Sequence, residues 1–164
     1  MGYLQGKTCY LTGPITAASD DGIVWRKTVT PSLEALGVIV DDPTVKTANG
    51  LGEVKADKQM FKDLLEQKKF KECKELFWPV CRKDLRSVDR SDFLVFYYNP
   101  LIPMFGTIDE LVTASRLQKK PVLMMIEEEN IKHMNPWSLV LIKEECIFTK
   151  WESLISYLAT IDKY

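Results

Sequence analysis

Three side chains in this sequence have types and settings suited to chemistry on a small molecule: Glu110, Asp84 and Tyr10. Glu110 lies in GTIDELV, residues 106–112, directly behind a strand-like run. A carboxylate there is a nucleophile or general base. Alternatively it closes a capping box in which Thr107 caps the helix and Glu110 reaches back to a backbone amide. Gly106, just ahead of the box, marks a place where backbone or a ligand passes closely. Asp84 lies in RKDLRSVDRSD, residues 82–92, where arginines alternate with acids. Such a stretch is either a surface of i,i+4 pairs, each contributing roughly a few tenths of a kcal/mol, or a helix face that carries Asp84 towards a site. Asp89 is assigned to the surface, and Asp92 to a turn or cap at a strand start. Tyr10, in TCYLT, is either a core tyrosine with a satisfied hydroxyl or a partner of Glu110.

The elements that must position these groups follow from periodicity. Residues 7–12 are β-rich and close on Gly13-Pro14, and residues 22–36 have helical spacing interrupted by Pro31. A short buried strand is expected at 37–41, a loop at 44–53, an amphipathic helix at 54–74 and a second helix starting near Pro79. DFLVFYY, residues 92–98, is the most strand-like run, and a helix follows at 107–118. PVLMMI, residues 121–126, is another strand; a last one falls at 140–142 or 146–148, and a closing helix at 151–161. This alternation, with near-continuous apolar strands, predicts an α/β fold: an open, mostly parallel five-stranded sheet, Rossmann-like or flavodoxin-like, with helices on both faces. Ligands on such sheets bind beyond the carboxyl ends of the strands, where strand order reverses.

The chain has 164 residues, 46% apolar content and a net charge of −1. One domain of ordinary composition is expected, with neither a nucleic-acid polymer nor a membrane as partner. Four scattered cysteines without a CxxC pair fit a reduced, cytoplasmic protein. The single histidine, His133, has no Cys/His spacing around it that makes a metal site, and no GxSxG motif accompanies it. GxGxxG and GxxxxGK[ST] are both absent. No metal and no cofactor are expected.

YLTGPIT (10–16), KDL (83–85), DFLVFYY (92–98) and GTIDELVTASRLQKKPVLMM (106–125) together resemble the nucleoside 2-deoxyribosyltransferase family, in order and separation. Its superfamily also holds hydrolases that remove the base from deoxynucleoside monophosphates or cytidine monophosphate. The resemblance implies an N-glycosidic enzyme without metal or cofactor, acting on a nucleoside or nucleotide and a free base: a deoxyribosyltransferase, alternatively a nucleoside or nucleotide hydrolase, and as a further alternative a non-catalytic nucleotide-binding module on the same fold. It implies that Glu110 attacks C1′ and carries the sugar as an ester, that Asp84 handles the proton of the base, and that Tyr10 hydrogen-bonds the nucleophile. It places Gly13, Pro14, Ile15, Thr16, Asp92, Gly106, Thr107 and Asn135 around the substrate. It also implies a homo-oligomer in which a neighbouring subunit completes the site, through Asn135 or Tyr164. Transferases of the family often carry an aspartate six residues before the nucleophile to bind sugar hydroxyls. The monophosphate hydrolases carry a serine there and an arginine in the first loop. This sequence has Met104 and Thr16-Ala17-Ala18-Ser19, which leaves a nucleoside, or a phosphate held by Ser19 or Arg26. The insert at 42–79 is expected to cover the crevice, with Phe61, Phe70, Phe77 and Trp78 available to stack on a base or to pack in the core.

Overall fold

A computed structural model describes residues 2–15, 17–45 and 55–163, without the side chains of residues 55–57. Alternation along β1 (Thr8–Thr12) divides the interior into two cores. Cys9 and Leu11 pack on one face with Trp25, Val29, Leu33, Leu154 and Leu158. Tyr10 faces the other way, among Val88, Leu94, Phe96, Leu111 and Met124. A strand covered on both sides has this two-sided apolar pattern.

Around β1 the order is β2-β1-β3-β4-β5, every pairing parallel. The strands are β2 (Ile39–Asp41), β3 (Phe93–Tyr97), β4 (Val122–Met125) and β5 (Ile147–Phe148). This is the doubly wound flavodoxin-like order, whose switch point lies between β1 and β3. Helices α1 (Ile23–Ala35) and α6 (Trp151–Ile161) cover the first face. α3 (Phe70–Arg90) and α4 (Phe105–Val112) cover the second. α2 (Lys55–Glu66) packs on α3, and α5 (Trp137–Leu141) is a short connection. Among the described residues no helix is long and apolar enough to cross a membrane.

The differences from the periodicity reading have local causes. The helix expected at 54–74 is broken where Lys68 takes a left-handed conformation (φ 57°), and the next helix begins at Phe70 rather than near Pro79. Pro79 therefore lies inside α3 and Pro31 inside α1, each at the loss of one intrahelical hydrogen bond. Residues 137–141 are helical, which leaves the last strand to Ile147–Phe148. The helix after β3 starts at Phe105 and ends in a π turn, Thr113–Leu117.

Candidate active site

Glu110 is positioned by α4 and held by β1. Side chains two residues apart on a strand share a face, so Tyr10 and Thr12 both point towards α4. The Tyr10 hydroxyl donates to Glu110 Oε1 at 3.0 Å, and the Thr12 hydroxyl donates to Glu110 Oε2. All three side chains are buried, Tyr10 and Thr12 almost completely. The capping reading is corrected here: Met104 is the residue at the helix N-cap, Thr107 lies within the helix, and Glu110 spends both oxygens on β1. Burial outweighs the local box, because a buried carboxylate gains more from two hydroxyls than from fraying amides that water can satisfy.

The electrostatics follow from that burial. Desolvation, helped by the charge of Asp84, pushes the Glu110 carboxyl up from 4.5 to about 7; the Thr12 and Tyr10 hydrogen bonds and the charge of Arg26 act against it. The Tyr10 phenol is likewise pushed well above its ordinary value, by burial first and then by the charges of Glu110 and Asp84. It stays a proton donor to the carboxylate throughout the working pH range.

Tyr10, Asp84 and Glu110 line a single cavity of about 450 Å³ at the β1/β3 switch point. Asp84 enters from α3, and Gly13, Pro14 and Ile15 from the loop after β1. Gly106 and Thr107 form part of the α4 wall. A Cβ built on Gly106 meets nothing within 4 Å, so glycine there leaves the cavity mouth open rather than relieving a clash. Gly13 is different: its Cβ would come within 2.8 Å of Trp25 Cζ2 and 3.2 Å of the Tyr97 carbonyl oxygen. Only glycine lets the loop cross the sheet so closely. Phe77 lines the cavity and meets Phe61 edge-on, with ring centroids 5.0 Å apart. Phe70 and Trp78 are exposed instead.

Other expected residues lie elsewhere. Asp92 sits at the amino end of β3, at the opposite edge of the sheet from the cavity. There it accepts from the Thr8 amide at 2.8 Å and pairs with Lys7 at 3.3 Å, and the Thr8 bond holds its carboxyl below the usual range. It is a strand-start clamp, not a substrate ligand. Asn135 lines a separate cavity of about 380 Å³ with Tyr98 and Ser138, and its amide donates to the Tyr98 hydroxyl at 3.1 Å. Thr16 and Tyr164 lie outside the described residues. Arg26 is fully buried: it donates to the carbonyls of Leu11, Gly13 and Gly22, and lies 3.6 Å from Asp42. Those bonds make it a clamp on the β1 loop rather than a ready phosphate ligand.

Thr12 was not among the residues the sequence singled out. The period of two from Tyr10 was the available signal, masked because threonine is an ordinary strand former. Among the described residues, no cluster of three or more His, Cys, Asp or Glu side chains is arranged to hold a metal ion.

The sheet order and this site place the chain in the flavodoxin-like class of α/β folds, with a carboxylate-bearing crevice at the switch point. More particularly, it shares the fold of solved 2-deoxyribosyltransferases. The enzyme from Bacillus psychrosaccharolyticus superposes with a TM-score of 0.61 at 20% identity, over 94% of this chain and 95% of that one. A 2-deoxyribosyltransferase from Leishmania mexicana gives 0.58 at 16% identity, over 94% and 97%. A CMP N-glycosidase from Clostridium botulinum gives 0.52 at 15%, over 94% and 98%. No family model matches the sequence, and no curated protein does.

Proposed function

We propose that this chain is a nucleoside 2-deoxyribosyltransferase-like enzyme that moves a deoxyribosyl group between bases through an ester on Glu110. The observation that carries this reading is the Glu110 carboxylate, turned away from its own helix and held by Tyr10 and Thr12 in a cavity that Asp84 shares. A Glu110 oxygen bonds to C1′ as the C1′–N bond breaks. The electron pair leaves on the base nitrogen, which takes a proton from Asp84. An acceptor base then attacks C1′ and returns its proton to Asp84, and Glu110 departs as the carboxylate. Two carboxylates in one crevice share a proton: burial and the Asp84 charge favour it on Glu110 in the free protein, and its passage to Asp84 leaves Glu110 ionised to attack and Asp84 protonated to serve the base. The oxocarbenium character of C1′ in both steps is stabilised by the adjacent anion.

Two features favour an uncharged nucleoside and a base acceptor. Asp84, Asp109 and Glu110 all face the cavity, an unfavourable field for a phosphate, and the one cation among the described lining residues is the carbonyl-bound Arg26. The remaining wall is largely apolar, with Ile15, Phe77, Leu85 and Met104 suited to a flat ring more than to water. Assembly as a homo-oligomer is part of the same reading, and light scattering tests it.

Incubating the protein with a 2′-deoxynucleoside, with and without a second free base, tests the reaction. A new nucleoside is the expected product. Free deoxyribose means hydrolysis instead. Intact-mass measurement should show one deoxyribosyl adduct, absent from Glu110→Ala. Full activity in Glu110→Ala would defeat the mechanism.

A further inference from the structure

The two oxygens of Glu110 have separate donors on one strand: Tyr10 holds Oε1 at 3.0 Å, and Thr12, completely buried, holds Oε2. A single hydrogen bond leaves a carboxylate free to swing about the Cγ–Cδ axis, because that terminal torsion is broad. Two donors, one on each oxygen, fix its plane. Both come from β1, which lies between β2 and β3 in the sheet, with Thr12 paired to Phe96. The two donors therefore share one rigid frame. Threonine suits the role beyond its hydroxyl. Its β-branch restricts χ1, so the Oγ1 direction is largely set before any bond forms.

We propose that Thr12 is a positioning residue for Glu110, fixing the carboxylate plane so that one lone pair faces the anomeric carbon before substrate arrives. This rests on the reading of Glu110 as the nucleophile. After attack, one Glu110 oxygen becomes the ester oxygen and the other a carbonyl oxygen. The hydroxyl on the carbonyl oxygen keeps its acceptor, and the other bond weakens. When the second base attacks C1′, the C1′–O bond breaks, its electron pair returns to the carboxylate, and both hydrogen bonds are restored. Thr12 thus stabilises the departing carboxylate in the second half-reaction as well as orienting the attacking one in the first.

Thr12→Val keeps the volume and the β-branch but removes the donor; Thr12→Ser keeps the donor. Loss of a hydrogen bond to a charged group predicts a kcat lower by roughly tenfold to a hundredfold in Thr12→Val, with KM little changed. The acid limb of the pH–rate profile should move upward by about one pH unit. Thr12→Ser should restore both. Titration of the Glu110 carboxyl by ¹³C NMR provides a readout that needs no turnover: it should move up in Thr12→Val and return in Thr12→Ser. An active wild type with unchanged kcat and pH profile in Thr12→Val overturns the role of Thr12 and leaves the transferase reading standing. A wild type that cleaves no nucleoside, with the NMR shift present, overturns the transferase reading and leaves the Thr12–Glu110 coupling standing. If Thr12→Val does not fold, Thr12→Ala with the same two measurements takes its place.

Discussion

Replacing Glu110 by glutamine should make the protein more stable above neutral pH and change it little in acid. The sign follows from where the proton sits. In the folded state the Glu110 carboxyl ionises near pH 7, while in the unfolded chain it ionises near its ordinary 4.5. Between those values the folded protein holds a proton that the unfolded chain has released, so wild-type stability falls as pH rises. Each pH unit of separation corresponds to about 1.4 kcal/mol, so the window from 4.5 to about 7 represents about 3 kcal/mol. Glutamine cannot ionise, and it still presents a carbonyl to one hydroxyl and an amide to the other. The two proteins should unfold alike near pH 4.5, and the variant should gain about 3 kcal/mol over wild type by pH 8. Urea denaturation of both proteins at half-unit steps from pH 4.5 to 8 measures this. Titrations elsewhere in the chain cancel in the difference, apart from the coupled response of Asp84. A difference that stays flat with pH would refute the claim that burial holds Glu110 above its ordinary value. A variant that loses stability steadily with rising pH would show the ionised side chain to be stabilising, the reverse of the reasoning. On the proposed mechanism the same substitution should abolish glycosidic cleavage, so stability above neutral pH and activity should change in opposite directions.

Further predictions separate the partners of Glu110. Tyr10→Phe removes the Oε1 donor, so the acid limb of kcat/KM should shift to higher pH and the rate should fall roughly tenfold. Asp84→Asn removes a charge that raises the Glu110 carboxyl, so the acid limb should move to lower pH while turnover falls through loss of proton transfer; pH–rate profiles of the two variants should move in opposite directions. Gly13→Ala drives a methyl group to 2.8 Å from Trp25 and should cost about 1–3 kcal/mol, read as a lowered thermal midpoint.

How legible the site was in the sequence depends on which interactions are local. Tyr10, Asp84 and Glu110 come together because the order of strands and helices carries each to the carboxyl edge of the sheet, and that order is written in apolar periodicity. The Thr107–Glu110 capping pattern was the right local inference and the wrong partner, since the competing hydroxyls lie about a hundred residues away in sequence. Asp92 carried the same kind of signal as Asp84 but stands at the amino edge, where a parallel sheet offers no crevice. Helix boundaries around Pro79 were hidden because the break is made by the left-handed backbone of Lys68, which side-chain pattern does not announce.

The arrangement of α2 carries a consequence of its own. It packs on α3, and its Lys58 reaches the Ile15 carbonyl at 2.7 Å and Asp21, but none of its described side chains is a hydrogen-bond partner of Glu110. The buried carboxylate and the panel bordering the first loop are therefore held by different elements. Substitutions in that panel, which stands behind Phe77 rather than in the cavity wall, can accumulate while the Glu110 carboxylate, anchored on β1, keeps its geometry. A fold partitioned in this way can vary its outer layer without disturbing the group at its centre.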